Sequence, residues 1–164
     1  MRVHRTLQFA APPVLVSDMM IAADFQEGIA AAISAPECSV VAENNKVTSV
    51  FLMPTFGPLH QVSGSQQRLV GEFEWTTPLQ DDCRQGRVSI RIERFPVIYD
   101  GTVNLSFDGR LTSVVYDTNL NIDVPQLETS VARATAQRTG EILGYNQAIG
   151  EAWLRNRGIE HPEP

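Results

Sequence analysis

Residues Pro125 to Arg157, PQLETSVARATAQRTGEILGYNQAIGEAWLRNR, decide the fold of this chain. At 100° per residue, one arc about 80° wide collects eight of their side chains, which is typical of an amphipathic helix. This predicted ridge consists of Leu127, Val131, Thr135, Arg138, Ile142, Tyr145, Ile149 and Trp153. Pro125 suits a first helical position and Gly158 suits a stop, so the sequence predicts one helix about 48 Å long.

The middle of this ridge is polar, because Thr135 and Arg138 interrupt it. A helix packed tightly on a core should be apolar there. An unpaired guanidinium on a buried face is costly, so Arg138 must find a carboxylate, reach water at a cavity mouth, or meet an anionic group of a ligand. We therefore expect the helix to close a shell around a ligand cavity, with these three alternatives open for Arg138.

Upstream of this helix, the chain reads as a strand followed by two short helices. Val3 to Phe9 alternates between apolar and polar residues, as a half-buried strand does. Pro12 and Pro13 open a helical region that covers Val14 to Ala23 and then Asp24 to Ile33, with Asp24 as the N-cap of the second helix.

A meander of about six strands follows. Asn44 and Asn45 mark one tight turn, and Asp108 with Gly109 marks the strongest hairpin turn of the sequence. Strands that follow one another without intervening helices favour an α+β fold with an antiparallel sheet over an alternating parallel one.

These elements and several short motifs resemble the helix-grip fold of START-like, birch-pollen-allergen-like proteins, the SRPBCC superfamily. The motifs are AAPPVLVSDMM after the first strand, ADFQEGIAAAI in the second helix, the pair Met53 and Pro54, EFEW ending at Trp75, and EAWL at Trp153 and Leu154. More narrowly, the chain resembles an uncharacterised START-like family of high-GC bacteria. The residues Gln126, Leu127 and Glu128 depart from the Gly-containing turn that this family tends to place there.

The resemblance implies a curved antiparallel sheet of six or seven strands around the long C-terminal helix, enclosing an apolar cavity. Superfamily members hold lipids, sterols or polyketides there; some are cyclases or other enzymes, and many only bind or carry.

The candidate ligand-binding residues are inward-facing aromatic and Met side chains together with the helix ridge. Small-molecule pockets are mostly apolar with a few placed polar groups. A filled core is the alternative, since burying each side chain stabilises folding by about 1.5 to 3 kcal/mol with or without a ligand. The candidates are Phe51, Met53, Trp75, Tyr99, Tyr116, Thr135, Arg138, Ile142 and Tyr145.

Composition and spacing disfavour several other functions. The formal charge of −6 disfavours nucleic-acid binding, and no apolar run is long enough to span a membrane. His4, His60 and His161 lack metal-ligand spacing, and serine-hydrolase, dinucleotide and triphosphate motifs are absent from the sequence, so no metal or cofactor is expected. The lack of a secretory signal pattern predicts a cytoplasmic protein.

The sequence thus predicts one domain over residues 1–164 that binds or carries a hydrophobic or amphipathic small molecule, with the loop Pro54 to Gln67 as a candidate gate. One alternative is a cyclase- or dehydratase-like enzyme that uses Tyr99, Tyr116, Arg138 or His60. Another is an interaction scaffold without a ligand. Leu143 and Leu154 lie off the predicted ridge, which indicates contact with another element or with the second subunit of a homodimer.

Overall fold

The computed structural model describes residues 1–55, 64–123 and 128–159. The elements along the chain are β1 (Arg2–Phe9), α1 (Pro13–Met20), α2 (Ala23–Ala32), β2 (Glu37–Glu43), β3 (Lys46–Pro54), β4 (Gln66–Trp75), β5 (Cys83–Ile92), β6 (Val97–Phe107), β7 (Thr112–Ile122) and α3 (Glu128–Arg155).

The strands form one seven-stranded sheet in the order β1-β7-β6-β5-β4-β3-β2. Every neighbouring pair is antiparallel, and consecutive strands from β2 to β7 are joined as a meander. The first strand returns to pair with the last, with Leu7 opposite Val114. The α+β helix-grip fold predicted from the sequence is confirmed.

The predicted turns lie where the sequence places them. Asn44 adopts a φ of 46° between β2 and β3, and Gly109 adopts a φ of 94° between β6 and β7. The Asp108 carboxylate accepts hydrogen bonds from the backbone N–H groups of Arg110, at 2.8 Å, and Leu111, at 2.7 Å. A short polar side chain therefore closes this turn, as such residues commonly do.

Asp24 does not cap α2, so that prediction is wrong. The residue before the helix is Ala22, and it makes no side-chain capping bond. The Asp24 carboxylate lies in the first turn and instead accepts a hydrogen bond from Trp153 Nε1 at 2.8 Å and pairs with Arg157 Nη2 at 3.0 Å. The Asp24 carboxylate thus bonds to Trp153 on α3 and to Arg157 just beyond the end of α3, instead of capping α2.

The buried face of α3 is rotated from the predicted ridge, although Ile142, Ile149 and Trp153 of that ridge still pack against the core. Among the helix residues whose side chains are described, the buried ones are Thr135, Leu143, Asn146, Gly150 and Leu154, whereas Tyr145 is 38% exposed. At 100° per residue, the centre of this buried face lies about 80° to 90° from the centre of the predicted ridge. Leu143 and Leu154 are therefore core residues. The predicted start at Pro125, with Leu127, lies outside the described residues.

The end of α3 is a Schellman motif, which confirms the predicted stop. Gly158 has a φ of 78°, its N–H donates to the Arg155 carbonyl at 3.0 Å, and the N–H of Ile159 donates to the Leu154 carbonyl at 3.2 Å. Glycine takes this left-handed conformation without the steric cost of a side chain.

One end of the interface between α3 and the sheet is tightly packed. A Cβ atom added to Gly150 would lie 2.6 Å from Phe9 Cε1 and 3.1 Å from Met19 Cε, so the helix backbone rests directly on these side chains. Trp75 and Val103 are also fully buried in this core. A side chain at position 150 would prevent this close approach, so Gly150 determines where the helix crosses the sheet.

Candidate functional site

A cavity of about 130 Å³ lies between the inner face of the sheet and the helices α2 and α3. A single water molecule needs roughly 10 to 15 Å³, so this space is suited to an organic molecule. Its wall is mainly apolar and includes five aromatic rings, those of Phe25, Phe51, Phe73, Tyr99 and Tyr116.

The cavity occupies the end of the sheet that is opposite the tightly packed core. Leu69 of β4 pairs with Ile92 of β5, and Tyr99 of β6 pairs with Leu120 of β7; all four line the space. Alternation along each strand turns these side chains to the same face. The fully buried Phe9, Trp75 and Val103 are not part of the wall.

Three polar atoms in the wall have no hydrogen-bond partner within the described parts of the chain. They are the Tyr99 hydroxyl, Thr135 Oγ1 and Asn146 Oδ1. The three residues are only 5%, 7% and 9% exposed, respectively. Leaving a buried donor or acceptor unpaired costs about 1 to 3 kcal/mol, so each of these three atoms is unfavourable for folding as long as it has no partner.

Tyr116 reaches the same space, and its hydroxyl donates weakly to Met20 Sδ at 3.9 Å. Burial, followed by the proximity of Tyr99, raises the pKa of Tyr116 far above its ordinary value, while a hydrogen bond with Asn146 opposes this shift. Burial also raises the pKa of Tyr99, opposed by the Thr118 hydroxyl, which itself donates to Val3 O at 3.0 Å. Both phenols therefore remain protonated donors at neutral pH.

Arg138 lies at the rim of the cavity, where its side chain is 28% exposed. Its Nη1 pairs with Glu141 Oε2 at 2.8 Å, one turn along α3, and this guanidinium lowers the pKa of the Glu141 carboxyl. Of the three alternatives open to Arg138, the structure shows the carboxylate partner. Glu72, the other charged residue in the described part of the wall, pairs with Lys46 Nζ at 3.0 Å.

Seven of the nine candidate ligand-binding residues are part of this wall. They are Phe51, Met53, Tyr99, Tyr116, Thr135, Arg138 and Ile142. Trp75 lies outside it, donating from Nε1 to Ser17 O at 2.9 Å with Arg84 5.1 Å from its ring centroid. Tyr145 lies on the partly exposed side of α3. A role in ligand contact stays a prediction for all nine.

Of the three wall residues with an unpartnered polar atom, Asn146 is the one that the sequence interpretation missed. It lies off the predicted ridge, yet at 100° per residue it is only about 20° from Thr135, eleven positions earlier. The signal available in the sequence was that Thr135 and Asn146 share one line along the helix, beside Leu143 and Gly150. Within the predicted gate, residues 56–63, including His60, lie outside the described residues, so the gate stays a prediction.

Within residues 1–55, 64–123 and 128–159, no group of three or more His, Cys, Asp or Glu side chains could hold a metal ion. None of the helices in the same part of the chain combines the length and the hydropathy that a membrane-spanning helix requires. Cys38 and Cys83 are free, exposed thiols.

The sheet, the long helix and the cavity between them define the helix-grip fold of START-like proteins. Solved structures of other proteins share this fold. The Zhui aromatase/cyclase from Streptomyces sp. R1128 matches with a TM-score of 0.62 and 12% identity, covering 97% of this chain and 96% of its own. A STAR-related lipid transfer protein from Xanthomonas axonopodis matches with a TM-score of 0.61 and 14% identity, covering 94% and 85%.

Truncated norcoclaurine synthase from Thalictrum flavum matches with a TM-score of 0.58 and 12% identity, covering 99% of this chain and 95% of its own. At these identities the likeness concerns the fold. The chain itself belongs to the family described as protein of unknown function DUF2505, whose model matches residues 4–154. No protein with a curated description matches the sequence.

Proposed function

We propose that this protein binds a hydrophobic small molecule bearing a polar group, enclosed between the sheet and α3. The observation that carries the proposal is the combination of an apolar cavity of about 130 Å³ with three buried, unpartnered polar atoms in its wall. Apolar surface that leaves water for such a wall contributes about 0.8 kcal/mol per CH₂ group. The polar atoms would fix the orientation of the bound molecule.

Proteins of similar fold are named as an aromatase/cyclase and a lipid transfer protein, which is compatible with a hydrophobic ligand here. The chemistry of this cavity favours binding over catalysis. Its tyrosines hold their protons, Glu72 is paired with Lys46, and the described part of the wall contains no histidine. A cyclase or dehydratase step needs a group that removes a proton, and none of these residues is suited to that role.

Native mass spectrometry of the protein purified from its own host tests the proposal. We expect an added mass from a bound hydrophobic molecule. Val88→Phe should remove that mass by filling the cavity, because Val88 is part of its wall. Ile98→Phe is the matched control, since Ile98 is 45% exposed and lies outside the wall, and it should retain the mass. A wild-type protein that is folded, carries no added mass and binds no apolar probe would instead support a scaffold.

A further inference from the structure

The unpartnered atoms of the cavity differ in hydrogen-bonding type. The Tyr99 hydroxyl supplies a proton that no described group accepts, Asn146 Oδ1 can only accept, and Thr135 Oγ1 can do either. Asn146 lowers the pKa of Tyr116 by hydrogen bonding, which only its amide NH₂ group can do, and its amide oxygen is the atom that remains without a partner. A molecule that satisfies these atoms must therefore carry both a hydrogen-bond acceptor and a hydrogen-bond donor.

An ionised carboxylate or a phosphate diester meets this demand poorly, because it offers acceptors alone and would leave Asn146 Oδ1 unpaired. Burying such an anion would also need a cation. In the described wall the cation is Arg138, and it is already paired with Glu141 at 2.8 Å on the partly exposed rim. A neutral hydroxyl offers one proton and two lone pairs, which matches the three orphaned atoms.

We propose that the occupant is an uncharged aromatic or alicyclic alcohol or phenol, whose hydroxyl group bonds among Tyr99, Thr135 and Asn146. This inference rests on the proposed function and specifies the class of its ligand. The five rings of the wall favour a flat or ring-shaped body over an acyl chain, because aromatic groups gain from edge and face contacts with one another.

Calorimetric titration with three probes of one shape tests the class at pH 7. The probes are 2-naphthol, naphthalene and 2-naphthoate, which differ only in carrying a neutral hydroxyl, no polar group, or a charged carboxylate. We expect 2-naphthol to bind about tenfold more tightly than naphthalene, the effect of about one net hydrogen bond, and 2-naphthoate to bind most weakly.

Asn146→Leu should abolish the preference of 2-naphthol over naphthalene and leave naphthalene binding within about twofold of wild type. Equal affinities for these two probes in the wild type, or tightest binding of 2-naphthoate, would overturn the hydroxyl inference while the proposed function stands. No binding of any probe, together with no added mass in the host-purified protein, would overturn both.

Tyr99→Phe supplies a test that does not depend on a ligand. Removing a hydroxyl that has no internal partner should leave the thermal midpoint of the empty protein unchanged or raise it. A fall of several degrees would show that the Tyr99 hydroxyl is bonded within the protein, and would overturn its assignment to a ligand.

Discussion

The two ends of α3 meet the sheet in different ways. At the C-terminal end, Gly150 brings the helix backbone onto Phe9, and Trp153 is bonded to Asp24 of α2. Further towards the N-terminus, Thr135 Oγ1 and Asn146 Oδ1 face a cavity in which they find no described partner.

One helix thus combines a tightly packed contact with a cavity wall whose polar atoms are incompletely paired. Native proteins are only marginally stable, so unpaired buried groups are tolerated where other contacts offset their cost. The packed end supplies these contacts through the close approach at Gly150 and a Schellman motif that ends the helix. These contacts offset the cost of the unpaired atoms in the cavity wall.

The largest effect should come from truncating one phenylalanine at each end. Phe9 is fully buried against α3, whereas Phe51 is 5% exposed and lines the cavity. Phe9→Ala should lower the free energy of unfolding by about 3 to 5 kcal/mol. Phe51→Ala should cost about 1 to 2 kcal/mol less, because part of its surface already faces empty space. Chemical denaturation of both variants measures the difference, and equal losses would contradict the contrast between the ends.

Smaller effects on stability are expected at two glycines of α3, and the two effects differ from each other in sign. Gly150→Ala should destabilise by about 1 to 3 kcal/mol through overpacking against Phe9, reduced by the better helix propensity of alanine. Gly144→Ala is the matched change, since a Cβ there meets nothing within 4 Å, and it should stabilise by about 1 kcal/mol. Thermal midpoints that rise in both variants would show that the helix is not fixed at Gly150.

The smallest effect concerns the pH dependence of the contact between α2 and α3. The hydrogen bond from Trp153, followed by the contact with Arg157, holds the pKa of Asp24 below its ordinary value. This stabilisation is present above the unfolded-state pKa, near 3.9, and is lost as the pH falls through the lower folded-state pKa.

The Asp24→Asn variant should therefore be less stable than wild type by at most about 1 kcal/mol at pH 7, because the pair is largely exposed, and the difference should shrink below about pH 4. Thermal midpoints between pH 7 and pH 3 measure this. Trp153→Phe removes the main donor and should weaken the same pH dependence; a difference that grows towards low pH would contradict the mechanism.

The fold was predictable because its signals are local. Alternation along β5 and β7, the left-handed turns at Asn44 and Gly109, and the glycine stop after α3 depend on the backbone and a few neighbours. The same reasoning placed Phe51, Met53, Tyr99 and Tyr116 on the inner face of the sheet, which is where the cavity lies.

The phase of α3 and the role of Asp24 were not predictable in this way. The arc with the most apolar side chains put Tyr145 inside and Leu143 outside, whereas the close approach at Gly150 turns Leu143 and Asn146 inwards. Asp24 has the sequence context of a cap, but its partners lie more than a hundred positions along the chain.

The sequence by itself determined the antiparallel sheet, the short helices and the long closing helix, because periodicity and turn residues act over a few positions. Tertiary structure alone decided which face of the helix is buried, that a space remains beside Tyr99 and Asn146, and that Arg138 finds Glu141. These outcomes depend on how closely two surfaces approach, and that distance is set where Gly150 meets Phe9.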